Sequence, residues 1–411
     1  MKGISLRSVR SAAPLVVWFF IGSVVGAAPA VQLGDRPAEL LNSLPVGSLR
    51  SQLESCAQET ASRSLFSISH RGAPLKYPEH TREGYIAAAE MGAGIIECDV
   101  TFTSDKALVC RHSQCDLHTT TNILQTPLAA QCAVPPDHSS SAPFEDVKCC
   151  TSDITLAEFK SLRGKIDSGN KGASTLDEYL SLAGTPKAEL QDLDGTLITH
   201  RESIELFKKL GVKMIPELKQ PQVPMPFEGE FSQEMLAQAL VDEYVDARIN
   251  PADVFMQSFN LNDVHYWLEE ASEFGAQAAW LDGRYRDRSF NPTVDSTWNP
   301  SMAELAAGGV KILAPPLWML LTVDDKQQIV PSVYANAAKS AGLDLIAWTL
   351  ERSGSLKQGG GWYYQSVKNT IKSDGDMYSV LDVLAQQVKV RGVFSDWPAT
   401  VTYYANCMGI E

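Results

Sequence analysis

Eight short apolar runs, separated by stretches of helical periodicity, constrain this chain more than any other feature. The runs are Leu65–Ser69, Gly94–Val100, Lys213–Leu218, Val254–Ser258, Ala276–Leu281, Val310–Ala314, Leu343–Thr349 and Gly392–Ser395. Most lack the polar alternation of a half-exposed strand, as parallel strands covered on both faces do. Helical patterns fall between most of them, at Arg82–Met91, Thr155–Leu162, Leu176–Leu182, Ser203–Leu210, Gln233–Tyr244, Asn262–Glu273, Met302–Ala307, Pro331–Ala341 and Tyr378–Gln386. Thr81, Ser174 and Asn260 stand where N-caps belong. Eight strand-plus-helix units predict an α/β chain folded as a (β/α)8 TIM barrel. An apolar fraction of 44% supplies the core.

One stretch breaks the alternation. Ser113–Asp153 has no periodicity and is rich in Cys, Thr, Pro and Ser, so a long cysteine-rich insertion is expected after strand 2. Residues 61–411 read as the barrel domain, with the insertion at 113–153, and residues 31–60 as an N-terminal leader. Residues 1–30 read as a secretory signal peptide: Lys2, Arg7 and Arg10, then an apolar stretch from Ala13 to Ala27, then small residues. The apolar stretch is shorter than the about 20 residues that a bilayer crossing needs. A secreted, extracellular protein with no stable membrane insertion is therefore expected.

Eight cysteines in such a chain predict disulfides. Cys56 and Cys407 could clasp the two ends, and a pair of bridges could staple the stretch from Cys110 to Cys150. Cys98 reads as a buried thiol or a core-side partner rather than a nucleophile. No Cys-X-X-Cys pair is present, which argues against a structural zinc site. A net charge of -14 argues against a nucleic-acid partner but leaves a small anionic substrate open.

Two segments carry the chemistry. Ile95-Ile96-Glu97-Cys98-Asp99 and Ile215-Pro216-Glu217-Leu218-Lys219 each place two charged side chains at i and i+2 on a strand. Strand side chains alternate faces, so each pair projects the same way, about 7 Å apart at the backbone. On neighbouring strands, three carboxylates and one ammonium would meet in a small volume. That is costly unless a divalent ion and an anionic ligand compensate. The C-terminal strand ends, where this fold keeps its sites, carry His70-Arg71, Asp99, Lys219, Ser258, Asp282, Pro315, Trp348 and Asp396.

In this order the chain shows His70-Arg71-Gly72, Pro78-Glu79-His80-Thr81, Glu97-Cys98-Asp99, Thr103-Ser104-Asp105, His112, Pro216-Glu217-Leu218-Lys219, Gln257-Ser258-Phe259, Trp348-Thr349 and Asp396-Trp397-Pro398. From Phe66 to Pro398 the series resembles the glycerophosphodiester phosphodiesterase family. The resemblance implies His70 and His112 as a general acid/base pair. It implies Glu97, Asp99 and Glu217 as ligands of one divalent cation, Mg2+ or Ca2+. Arg71, Glu79 and Lys219 would bind substrate, and Trp348 would line its pocket. The expected reaction converts a glycerophosphodiester such as glycerophosphocholine to glycerol 3-phosphate and an alcohol. Two positions depart from the family pattern: Ser113 follows the second histidine where Asp is usual, and His80 stands where Asn is usual.

A phospholipase D-like enzyme acting on lysolipids or sphingolipids is the alternative within the superfamily. A non-catalytic secreted barrel with a binding role is the alternative outside it. Asp192-Leu193-Asp194-Gly195-Thr196 imitates a phosphatase nucleophile motif but lacks the apolar strand that motif needs before it. His118, His138, His200 and His265 have no partner pattern. Trp362-Tyr363-Tyr364 reads either as an exposed loop or as a lid or cage over the site.

Overall fold

The computed structural model describes residues 1, 3, 30–181 and 195–411, so most of the expected signal peptide and Asp192–Asp194 lie outside the described residues. Eight parallel strands form the barrel: β1 (Ser64–Ser69), β2 (Ala93–Phe102), β3 (Lys213–Leu218), β4 (Gln257–Ser258), β5 (Ala279–Leu281), β6 (Ile312–Ala314), β7 (Asp344–Leu350) and β8 (Gly392–Ser395). Each pairs with the next, and β1 pairs with both β2 and β8, which closes the ring. Every strand is followed by at least one helix, the last being Pro398–Cys407.

Burial on both faces explains the unbroken apolar runs. Ile68, Ile95, Ile215, Leu281, Ile312, Ile346 and Phe394 pack into one cluster inside the barrel. Their chain neighbours Ile96, Met214, Leu313, Leu345 and Val393 belong instead to the larger core shared with the helices. The inner face of β2 therefore reads Ile95, Glu97, Asp99, and that of β3 reads Ile215, Glu217, with Lys219 just past the strand. The charged residues continue the face that fills the barrel, one layer nearer the C-terminal rim.

Helix boundaries follow their caps. Thr81 accepts from the Gly84 amide, and Asn260 from that of Asn262. The helix expected at Ser203 begins at His200, because Thr199 and Glu202 form a reciprocal capping box ahead of it. The cap expected at Ser174 is Thr175.

Between β2 and β3 the chain builds a second small core. The 113–153 stretch holds the disulfides Cys115–Cys150 and Cys132–Cys149. Its packing does not stop at Asp153: Leu117, Ile123, Phe144 and Val147 cluster with Phe159, Leu162, Tyr179 and Leu197. Helices Leu156–Ser161 and Leu176–Leu180 thus serve the insertion, and His200–Leu210 is the barrel helix after β2. A short strand, Leu108–Cys110, pairs antiparallel with the end of β2, and Cys98–Cys110 ties the two covalently.

Residues 36–55 pack onto the barrel. Leu40, Leu41, Leu44 and Leu53 join the main core, and Cys56 is bonded to Cys407. Arg36 reaches the buried Glu351 carboxylate at 2.8 Å. Among the described residues, no helix is long and apolar enough to cross a membrane.

Candidate active site

The register of β2 against β3 sets Asp99 directly beside Glu217 and Cys98 beside Pro216. One oxygen each from Glu97, Asp99 and Glu217 can therefore lie within 4.8 Å of the others, and all three side chains are buried. Glu97 accepts from the Arg71 backbone amide at 3.0 Å and from Nε2 of Gln257 on β4 at 3.0 Å. Glu217 is paired with Lys219 at 2.6 Å. Asp99 gives Oδ2 to His80 at 2.8 Å, while its Oδ1 is buried without a partner.

Such crowding shifts proton affinities. Burial, then repulsion from Asp99 and Glu217, raises Glu97 well above the usual carboxylate range. Burial pushes Glu217 up to about 7 against the pull of Lys219. Burial also works to raise Asp99, but Lys219 and His80 overcome it and hold that carboxylate well below its ordinary value. Three hard oxygen donors, one of them orphaned, could hold a divalent cation.

His70 follows β1 directly. Its Nδ1 lies 2.5 Å from Oδ1 of Asp396, which follows β8. An ionised carboxylate only accepts, so Nδ1 carries the proton and Nε2 keeps its lone pair. Burial lowers the His70 pKa to about 4, although Asp396 opposes the shift. Arg71 and Gly72 both take left-handed backbone angles, φ 59° and φ 96°. A Cβ on residue 72 would come within 2.9 Å of the Gly84 carbonyl carbon, so only glycine lets this turn sit against the first helix.

The Arg71 guanidinium is held by Glu79 at 3.2 Å, and Arg352 bridges Asp396 at 3.0 Å and Glu79 at 3.8 Å. Glu79 thus stands behind two arginines that face the cleft. His112 is half-buried, and burial together with Arg71 and Lys219 lowers its pKa well below the ordinary value. Gln114 accepts from the Gln222 amide and Asp116 from the Ser113 amide, so both order the turn after His112.

His70, Arg71, Glu97, His112, Glu217, Lys219 and Trp348 all line one cleft of about 720 Å3. Its far wall is aromatic. Trp362 lies 5.9 Å from Trp348 and 5.1 Å from Tyr285, with Tyr363 and Phe259 beside them. The Arg286 guanidinium sits 4.5 Å over the Phe259 ring. Of the expected site residues, Glu79 and Asp99 do not line the cleft itself; Glu79 braces the arginines, and Asp99 meets Glu97 and Glu217 at its floor.

Sequence reasoning had no signal for Arg352, two residues past β7, or for Arg111. Arg111 is fully buried, and its Nη2 donates to the Glu79 carbonyl at 2.6 Å. His80, which stands where the family pattern has Asn, adds an imidazole close to the site. The structure buries it completely, with both ring nitrogens engaged.

The family model described as "Glycerophosphoryl diester phosphodiesterase family" matches residues 70–400. A protein of Arthroderma benhamiae named "Extracellular protein" is 45% identical over 251 residues, which is 60% of this chain and 100% of that protein. A glycerophosphodiester phosphodiesterase of Arabidopsis thaliana is 27% identical over 186 residues, 42% of this chain but 23% of its own length. A solved structure from Silicibacter pomeroyi DSS-3, described as a putative glycerophosphoryl diester phosphodiesterase, superposes with a TM-score of 0.56. Its identity is 18%, over 88% of this chain and 99% of that one, a likeness of fold.

Proposed function

The chain belongs to the glycerophosphoryl diester phosphodiesterase family and is a phosphoric diester hydrolase, and from that premise we propose a cation-assisted reaction with His70 and His112 as proton carriers. The observation that carries the proposal is the convergence of Glu97, Asp99 and Glu217 within 4.8 Å, beside a cleft that Glu97, Glu217 and both imidazoles line. A bound Mg2+ or Ca2+ would polarise a phosphoryl oxygen and lower the pKa of a glycerol hydroxyl. Arg71 and Lys219 supply the positive charge that receives the phosphodiester, and Glu79 braces Arg71.

His70 is the base. With Nδ1–H committed to Asp396, its Nε2 lone pair takes the proton of the glycerol 2-hydroxyl. The hydroxyl oxygen then bonds to phosphorus, the bond from phosphorus to the leaving oxygen breaks, and protonated His112 gives its proton to that oxygen. An anionic phosphate beside His112 favours the protonated ring that this step needs. In the second half, His112 takes a proton from water, the water oxygen opens the cyclic phosphate, and His70 returns its proton to the 2-oxygen. The products are glycerol 3-phosphate and an alcohol, with Trp348 and its aromatic neighbours around the leaving group.

Four disulfides, Cys56–Cys407, Cys98–Cys110, Cys115–Cys150 and Cys132–Cys149, fit an extracellular site of action. One observation favours keeping the lysolipid alternative in the assay. Trp318, 5.8 Å from Trp362, also lines a second cavity of about 380 Å3 with Met319, Leu321 and Val333.

The test is hydrolysis of glycerophosphocholine and of a lysophospholipid, with and without EDTA, by wild type, Glu97→Ala and His70→Ala. Loss of activity with chelator and in both variants is expected. Activity indifferent to all three overturns the mechanism, and faster cleavage of the lysophospholipid moves the assignment to the alternative.

A further inference from the structure

We propose that Tyr85 and His80 form a one-directional hydrogen-bond relay that fixes Asp99 with one oxygen left for the cation, making His80 a positioning residue. The proposal rests on the cation reading above and extends it to residues that touch neither substrate nor ion.

The geometry is closed. His80 is fully buried in the turn before the first barrel helix, with φ 55°, an unusual conformation for a residue with a Cβ. Its amide donates to the Arg71 carbonyl at 3.0 Å, so the turn is locked onto the segment that carries His70. Nε2 lies 2.8 Å from Asp99 Oδ2, and Nδ1 lies 2.8 Å from the Tyr85 hydroxyl. Tyr85 is itself fully buried, on the helix that Thr81 caps, with its ring 4.9 Å from Phe207.

Those contacts leave one arrangement of protons. A neutral imidazole has one donor and one acceptor, and full burial disfavours the charged ring. Asp99 as a carboxylate can only accept, so Nε2 carries the hydrogen. Nδ1 must then accept, and the Tyr85 hydroxyl must donate to it. The chain runs Tyr85 to His80 to Asp99 and cannot be reversed without leaving a buried group unpaired.

The consequence falls on Asp99. Its Oδ2 is engaged by His80, with the Arg71 guanidinium 3.9 Å away, while Oδ1 has no protein partner. A carboxylate that could swivel would share both oxygens among its neighbours. One held by a buried ring through Oδ2 leaves Oδ1 without a hydrogen-bond partner, while Asp99 still offers an oxygen to the group it forms with Glu97 and Glu217. Orientation of first-sphere ligands by such outer contacts commonly governs metal affinity by about 10–100-fold. The family pattern has Asn where this chain has His80, and an Asn side chain is shorter and lacks the second ring nitrogen that meets Tyr85.

The test measures Mg2+ and Ca2+ binding by calorimetry on wild type, His80→Leu, His80→Gln and Tyr85→Phe, with histidine 15N shifts of the ion-free protein read in parallel. About 10–100-fold weaker binding is expected in His80→Leu. His80→Gln, whose amide still donates, should recover most of the loss, and Tyr85→Phe should fall between them. The His80 ring should show the Nε2–H tautomer in wild type. Wild-type affinity in folded His80→Leu, or an Nδ1–H tautomer, overturns the relay. Should His80→Leu fail to fold, the wild-type tautomer and the Tyr85→Phe affinity decide the matter alone. A wild type that binds neither ion overturns the cation reading itself, a result distinct from variants that bind as well as wild type.

Discussion

Nδ1 of His70 lies 2.5 Å from Oδ1 of Asp396, and the two residues stand one position past the first and last strands of the barrel. Strand pairing puts Ser69 beside Ser395, so the next residue on each strand is brought into reach by the ladder itself. The pair orients the proposed base. Asp396→Asn would present an amide to Nδ1, and the donating tautomer would move to Nε2. By analogy with other His–carboxylate pairs, kcat should fall about 10³–10⁴-fold with the fold intact. Steady-state kinetics on glycerophosphocholine checks this, and a loss smaller than about tenfold would remove Asp396 from the mechanism.

Three buried carboxylates without a cation repel one another, and burial together with that repulsion raises the proton affinities of Glu97 and Glu217. Stripping with EDTA should therefore lower the melting temperature, and Mg2+ or Ca2+ should restore it. At an ion concentration about 100-fold above Kd the gain is about 2.7 kcal/mol. Glu217→Gln, measured in EDTA, should melt no lower than wild type and should gain much less from added ion. Thermal unfolding of both proteins in both conditions decides it.

Acid should destabilise the protein before its surface carboxylates titrate. His70 and His118 are both held near pKa 4 by burial, against an ordinary value of 6.5. Both are bases with lowered folded values, so the unfolded chain takes up protons first as pH falls. Stability from this source is full above about pH 6.5 and is lost progressively down to about pH 4. The contribution of His70, the more deeply buried of the two, is about 3 kcal/mol. Denaturant titrations at pH 7.5 and 4.5 should show the loss, and His118→Gln should reduce it.

Cys56 and Cys407 join positions 351 residues apart. Closing so long a loop removes much entropy from the unfolded chain, and loss of native bridges of this kind costs about 2–5 kcal/mol. The Cys56→Ser, Cys407→Ser double variant should unfold at lower denaturant by a corresponding amount. Arg36–Glu351 and the buried leucines of 36–55 remain in that variant, so the barrel should still form. Unchanged stability would mean that the non-covalent contacts of that segment suffice.

Which parts were readable from the residues follows from burial and distance along the chain. The barrel strands were visible because both their faces are apolar, a pattern that needs no knowledge of neighbours. The β4 run is the exception in extent: only Gln257–Ser258 forms a ladder, while Val254 makes an isolated bridge to Met214. Leu156–Ser161 was legible as a helix but not as part of the insertion, because helical periodicity names an apolar face and not the core it meets. The charged pairs Glu97/Asp99 and Glu217/Lys219 were legible for the same local reason, each being two apart along one strand or its end. Arg352 was not, since it meets Glu79 and Asp396 from distant parts of the chain, and the task of His80 was not, since no periodicity places a turn residue against Tyr85 and Asp99.

The imidazole–aspartate contact across the seam between β1 and β8 ties competence to completion. Without β8 in the ladder, Glu97, Asp99 and Glu217 on β2 and β3 would still stand together, but His70 would lack the carboxylate that aims it. Only when the final strand docks does that ring acquire its orientation. Aimed proton transfer thus belongs to the closed ring and not to any open arc of its strands.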